Sequence, residues 1–276
     1  MIGPSALAQE FWQYGRSESC PIYDMHGHMG PFHSIYFPRG ADAQMIDTMD
    51  ECGVRMLVFS HHAALLAPGI GNTLSLEAVR RHPDRLRAYC AINPNYPELI
   101  EADLASFATH RDVYVGLKFL SDYHQIALTD ARNRPAWEYA DRHGLLVLMH
   151  TWGGSLFDGP VVVRAIAERY PHATLLLGHS CHGEWDAAVS LARDFPNVYL
   201  ELTAVFDDRG PLEKFVREAG SDRMLFGTDL PWFDPHQAVG ALLSADITDD
   251  DRHNICHRNA EKLLAPFLQP ESGDPP

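Results

Sequence analysis

The chain has 276 residues, 46% hydrophobic and 21% charged, an ordinary globular composition that excludes disorder, collagen-like repeats and coiled coil. It carries 22 Lys and Arg against 37 Asp and Glu, a net charge of −15, which repels phosphate backbones and anionic lipid, so neither nucleic acid nor membrane is an expected partner. Five scattered cysteines without a C-x-x-C pair, and an N-terminus without a basic patch followed by an apolar run, point to a soluble cytoplasmic protein.

No internal repeat, low-complexity segment or linker breaks the chain between Ser5 and Leu268. The expectation is a single domain over 1–276 with its core at about 20–265, a short N-terminal helix, and a frayed Pro- and Gly-rich tail at Gln269–Pro276. Short apolar runs of the kind that form buried parallel strands alternate with longer amphipathic stretches. In chain order the strands are predicted at Pro21–Met25, Arg55–Phe59, Leu86–Ile92, Val113–Phe119, Leu145–Met149, Thr174–Leu177, Val198–Leu202 and Met224–Phe226. Helices are predicted between them at Ala41–Glu51, Leu74–Arg81, Pro97–Thr109, Pro135–His143, Pro160–Tyr170, Glu184–Asp194 and Pro211–Ala219. Pro97, Pro135, Pro160 and Pro211 sit where a first helical turn tolerates proline. The remainder, Pro235–Leu243 and Asp249–Leu268, reads as helix only. This alternation suits a distorted (β/α)8 TIM-like barrel with extra C-terminal helices. The competing doubly wound sheet more often carries a glycine-rich phosphate loop, and none is present.

In such a barrel the chemistry collects where the strands end. The first strand runs into Asp24-Met25-His26-Gly27-His28, and residues two apart on a strand share a face. The fourth ends at Gly116-Leu117-Lys118-Phe119, the fifth at His150, the sixth at His179, and the eighth runs into Gly227-Thr228-Asp229. Any one of these histidines is ordinary. Four histidines and an aspartate at converging strand ends form a nitrogen–oxygen donor set for Zn2+, or for Mn2+, Fe2+ or Co2+. The loops beyond carry His33, Tyr123, Trp152, His182 and Trp232, an aromatic wall suited to binding a planar small-molecule substrate. His61, His62, Glu184 and Glu201 are candidates for contacts that orient ligands.

Two other nucleophiles fit parts of the pattern. Gly178-His179-Ser180-Cys181-His182-Gly183 approaches a nucleophile elbow, but its fifth position is His182 rather than glycine, although Ser180, Asp229 and His257 follow the order Ser–Asp–His. Cys181 lies between His179 and His182, neighbours that could lower a thiol pKa.

The motifs Asp24-x-His26-x-His28, Gly116-x-Lys118, Leu148-Met149-His150-Thr151, Leu177-Gly178-His179, Arg223-Met224-Leu225-Phe226-Gly227-Thr228-Asp229-Leu230-Pro231 and Asn259-Ala260-Glu261-Lys262-Leu263-Leu264 together resemble the amidohydrolase superfamily. The resemblance is to its branch of small barrels that includes aminocarboxymuconate-semialdehyde decarboxylase-like enzymes. It implies a metal at the barrel mouth held by His26, His28, His150 and Asp229. His179 would contact the metal-bound water, or ligate a second ion. It implies one ion, or two if Lys118 is carboxylated as in two-metal relatives. Lys118 could equally anchor a substrate carboxylate or stand outside the site. Members often pair, so a homodimer is the expected assembly. Lys118 tilts the expectation toward a metal-dependent hydrolase that cleaves a C–N or C–O bond in an amide, lactone or ester, with Asp229 as general base and His179 beside the developing charge. The alternatives are non-oxidative decarboxylation of a small aromatic or enoic acid, and a catalytically silent metal-binding protein.

Overall fold

The structure, a computed structural model, describes residues 5–268. The tail expected to fray lies outside the described residues.

Eight strands form one parallel sheet in sequence order, each hydrogen-bonded to the next. They are β1 (Ile22–Met29), β2 (Val54–His61), β3 (Leu86–Ile92), β4 (Tyr114–Phe119), β5 (Leu146–Trp152), β6 (Thr174–His182), β7 (Val198–Glu201) and β8 (Met224–Leu225). The ring closes through the segment after β8. Met25 N donates to Phe226 O (2.9 Å), Asp229 N to His26 O (2.7 Å) and His28 N to Leu230 O (2.7 Å). This is the eight-stranded barrel expected from the alternation.

Helices α1 (Ala6–Tyr14), α2 (Asp42–Cys52), α3 (Pro68–Arg81), α4 (Ile100–Thr109), α5 (Ser121–His124), α6 (Arg134–His143), α7 (Pro160–Arg169), α8 (Trp185–Asp194), α9 (Pro211–Ala219) and α10 (Pro235–Ser244) surround it. A C-terminal run follows: α11 (Asp249–His253), a π turn at Asn254–Arg258 and α12 (Asn259–Leu268). Pro160 and Pro211 open α7 and α9, where a missing amide proton costs nothing. Gly144 ends α6 in the left-handed conformation (φ 60°). No helix among the described residues is long and apolar enough to cross a membrane.

The core has two parts. The larger lies between strands and helices and contains stacks such as Phe119 on Trp137 and Trp137 on Tyr170. The smaller fills the barrel itself with inward side chains, among them Met25, Val58, Tyr89, Leu148 and Leu176. Ala260 and Leu264 of α12 join this inner cluster beside early-strand residues such as Met56, Val115 and Leu146. The C-terminal helix therefore plugs the end of the barrel where the strands begin, and the opposite end stays open.

Four strands outrun their expected ends, β2 by two residues to His61 and three others further. β1 continues from Met25 to Met29, β5 from Met149 to Trp152, and β6 from Leu177 to His182. Backbone pairing continues there although the side chains turn polar, because the ladder needs only amides and carbonyls. The histidines thus stand on strands rather than on loops. β8 is shorter than expected. Beyond Leu225 the Thr228 amide bonds the Asp24 carboxylate (3.1 Å) in place of a regular ladder.

Candidate metal centre and active site

The extended strand ends bring His26, His28, Lys118, His150, His179 and Asp229 to one cavity of about 20 Å³, together with Leu65, Leu120, Tyr123 and Trp232. That volume admits one ion or one water. One donor atom each from His26, His179 and Asp229 lies within 4.8 Å of the others. The His179 ring stands 5.1 Å from that of His26 and 4.8 Å from that of His150.

The hydrogen bonds fix which ring nitrogens face the centre. His26 Nδ1 sits 2.7 Å from Glu201 Oε2, and His150 Nδ1 sits 2.9 Å from Asp158 Oδ2. A carboxylate only accepts, so each Nδ1 carries the proton and each Nε2 presents a lone pair. His28 Nδ1 lies 3.2 Å from both the Ser60 carbonyl and the Ser60 hydroxyl, and donation to the carbonyl leaves Nε2 a lone pair. His28 Nε2 is then 3.2 Å, and His26 Nε2 3.5 Å, from Asp229 Oδ1. These are acceptors facing an acceptor. Asp229 Oδ1 and His179 Nδ1 are buried without any hydrogen-bond partner. Such a convergence of lone pairs is costly unless a cation stands among them.

Lys118 is the donor in this cluster. Fully buried, it places Nζ 2.8 Å from His26 Nε2, and no carboxylate lies within ion-pair distance among the described residues. Burial pulls its ammonium down to about 8, against the pull of Asp229 and Glu201. Burial also keeps His26 and His179 neutral. Burial pushes the Asp229 carboxyl up, and with His26 and His179 neutral it is a cation among the ligands that would hold it ionised.

A buried scaffold surrounds these groups. Glu201, pushed up to about 7 by burial, accepts from the Thr203 amide and hydroxyl (both 2.7 Å) and from the His179 amide (3.2 Å). A Cβ at Gly227 would overlap the Glu201 carboxylate, so only glycine fits there. Asp24, raised by burial to about 8, ties β1 to Thr228. His179, Ser180, Cys181 and Asp229 all adopt positive φ (66°, 49°, 51° and 60°), a strained backbone of the kind retained at functional sites.

The remaining expected contacts separate. Tyr123 and Trp232 line the cavity, and Trp232 Nε1 donates to His62 Nε2 (2.9 Å). Trp152 stands at the rim, its ring 5.5 Å from that of His179, and stacks on His182 (4.4 Å). His33 packs on Phe32 and lines a neighbouring groove of about 580 Å³ formed by the β1–α2 loop. His61 caps a short helical turn at Ala63, and Glu184 accepts from the Gly154 amide. The nucleophile alternatives fail. Ser180 Oγ donates to Glu201 O (2.8 Å), and His257 bonds to His253 and Glu261 in the C-terminal helical run. Cys181 is buried and its thiol pushed up to about 12. The sequence reading missed Asp158; its one signal is that it is the only acidic residue between His150 and α7.

A family model described as amidohydrolase matches residues 23–265. Among curated proteins none matches the chain. Solved structures share the fold. A dihydroxybenzoic acid decarboxylase from Polaromonas sp. JS666, with bound manganese and the inhibitor 2-nitroresorcinol, has a TM-score of 0.73 at 18% identity over 89% of this chain and 97% of its own. An uncharacterized TIM-barrel protein from Bordetella bronchiseptica scores 0.75 at 18% identity over 90% and 100%. A 5-carboxyvanillate decarboxylase from Sphingomonas paucimobilis scores 0.71 at 14% identity over 89% and 99%. With the family model spanning almost the whole barrel, the chain belongs to the amidohydrolase superfamily.

Proposed function

We propose that this protein is a metal-dependent, non-oxidative decarboxylase of a small aromatic carboxylic acid. The observation that carries the reading is Lys118, a fully buried ammonium without a carboxylate partner, set in the same cavity as the converging histidines. An anionic substrate would supply the missing charge. The cavity of about 20 Å³ has to widen to take an aromatic acid, by outward movement of the Tyr123 and Trp232 side chains that border it beside Leu65 and Leu120. The similar structures named as dihydroxybenzoic acid and 5-carboxyvanillate decarboxylases support the same substrate class.

The donor set fits a divalent cation. His26, His28, His150 and Asp229 would hold it, with His179 facing it. Three imidazoles and a carboxylate accommodate Zn2+ or Mn2+, and manganese is bound in the similar decarboxylase. When bound, the cation supplies a Lewis acid toward a carboxylate or phenolate oxygen. Lys118 holds the substrate's negative charge. The aromatic and apolar walls orient the ring and exclude water, which favours loss of charge from the carboxylate as neutral CO2. The bond between the ring and the carboxyl carbon breaks and its electron pair stays on the ring carbon. Asp229, ionised and facing the cavity, accepts a proton from water or a substrate hydroxyl and passes it to that carbon.

The sequence expectation of a metal-dependent hydrolase, with Lys118 open to carboxylation, stands as the second reading. Its support is that amine, held 2.8 Å from His26 Nε2 with a pKa of about 8. One assay separates the two. Metal-loaded protein given a panel of hydroxybenzoates should release CO2 in step with formation of the phenol. Hydrolysis of amides or lactones with no CO2 from any acid would overturn the decarboxylase.

Glu201→Gln tests the support of the metal ligands. An amide can present either a donor or an acceptor to His26 Nδ1, so the tautomer is no longer fixed. We expect metal affinity to fall about 10–100-fold in a metal titration, with the fold retained.

A further inference from the structure

A second group of metal-ligating side chains lies at the closed end of the barrel, on the helical run that plugs it. His253 and His257 face each other across the π turn (His253 Nδ1 to His257 Nε2, 3.0 Å), and Cys256 lies on that turn between them in the chain. They meet Cys20, in the segment just ahead of β1. Cys20 Sγ and one ring nitrogen each of His253 and His257 lie within 4.8 Å of one another. Its neighbour Cys20 and burial hold the Cys256 thiol well above the usual thiol range. Both cysteines are buried and free of disulfides, and both histidines are half-buried.

The imidazoles are already aimed. His257 Nδ1 lies 3.1 Å from Glu261 Oε2, which as an acceptor fixes the proton there and leaves Nε2 a lone pair. That Nε2 faces His253 Nδ1 at 3.0 Å. A carboxylate on the far nitrogen is the usual way a metal-binding histidine is oriented. Zinc bonds of about 2.3 Å to sulfur and about 2.0–2.1 Å to nitrogen bring all four donors within about 4 Å of one another. Cys20, His253 and His257 need only small side-chain adjustments to reach that geometry, and Cys256, outside this trio, has to turn toward it to complete the set. Two sulfurs and two nitrogens complete a tetrahedron and leave no open position for substrate or water.

We propose that Cys20, Cys256, His253 and His257 form a closed, structural zinc site that fastens the C-terminal helical run to the start of β1. Cys20 stands six residues ahead of His26, about 20 Å along an extended strand, so this site is distinct from the barrel mouth. Metal binding would deprotonate both thiols, whose protons leave to solvent.

Cobalt(II) titration of the full chain, stripped of metal and kept reduced, tests this. Two thiolates give cobalt an intense near-ultraviolet charge-transfer band, whereas the barrel-mouth ligands are all nitrogen and oxygen and give none. The band should saturate by two cobalt per chain, one in each site, and be displaced by Zn2+. It should persist in Asp229→Asn, so its fate is separate from that of the proposed function. Cys20→Ser and His257→Gln should each weaken or abolish it; the half-buried His257 guards against a variant that fails to fold. His257→Gln should keep normal turnover while losing the zinc-dependent rise in Tm. Three outcomes would overturn the site: no charge-transfer band once cobalt fills the barrel mouth, a band unchanged in both variants, or a Cys20–Cys256 disulfide forming readily with no thiolate–cobalt complex in the reduced protein.

Discussion

Asp229→Asn should keep the barrel folded and lower kcat by about 10²–10⁴. The variant isolates charge from shape. Asp229 sits at φ 60°, a conformation that asparagine adopts readily, so the backbone loses nothing. The amide retains an oxygen toward His26 and His28 but carries no charge and cannot relay a proton. Two roles disappear together, that of an anionic metal ligand and that of the proton carrier. Metal analysis of the variant divides them. Retained metal with lost turnover places the loss on the proton, and lost metal places it on the ligand. Near-wild-type kcat in folded, metal-loaded Asp229→Asn would remove Asp229 from the chemistry.

Lys118→Met should make the metal-free protein more stable and weaken its hold on the substrate. Holding the ammonium near 8 instead of the ordinary 10.5 costs about 3 kcal/mol at neutral pH. Methionine has similar length and no charge to bury. The loss of one hydrogen bond to His26 Nε2 offsets part of the gain, which leaves about 1–2 kcal/mol. The pH dependence gives the sign. A depressed lysine pKa means that the unfolded chain binds more protons between pH 8 and 10.5. In that window the contribution of Lys118 to wild-type stability rises with pH. The stability difference between Lys118→Met and wild type should therefore shrink from pH 8 to 10.5, as read from denaturant midpoints. On the activity side, loss of the cation should raise KM for an aromatic carboxylate at least 10-fold, about 1.4 kcal/mol. Unchanged KM would show that Lys118 holds no substrate.

The barrel was legible because buried parallel strands announce themselves as apolar runs and amphipathic helices separate them. Strand ends were harder. β1, β5 and β6 extend into polar sequence, where hydropathy stops reporting and only backbone pairing continues. The convergence of His26, His28, His150, His179 and Asp229 could still be anticipated, because each lies close to an apolar run whose direction in a parallel barrel is known. Asp158 was missed, since a loop aspartate eight residues past His150 carries no periodic signal and only its being the sole acid before α7 marks it. Lys118 was visible as a residue but not as an unpaired buried charge, and that property bears most on substrate class. The hydrolase expectation leaned on its possible carboxylation, whereas the structure emphasises an ammonium with no carboxylate in ion-pair contact among the described residues. Cys20 and the His253–His257 pair were overlooked for a related reason. They lie far apart in the chain, and only the return of the C-terminal helical run to β1 brings them together.

Anomalous diffraction from crystals soaked with Mn2+ tests the central claim most directly. It predicts a peak in the barrel-mouth cavity at bonding distance from His26 Nε2, His28 Nε2, His150 Nε2 and an Asp229 oxygen. A soaked, active protein with no peak there, or with those nitrogens turned to other partners, would contradict it.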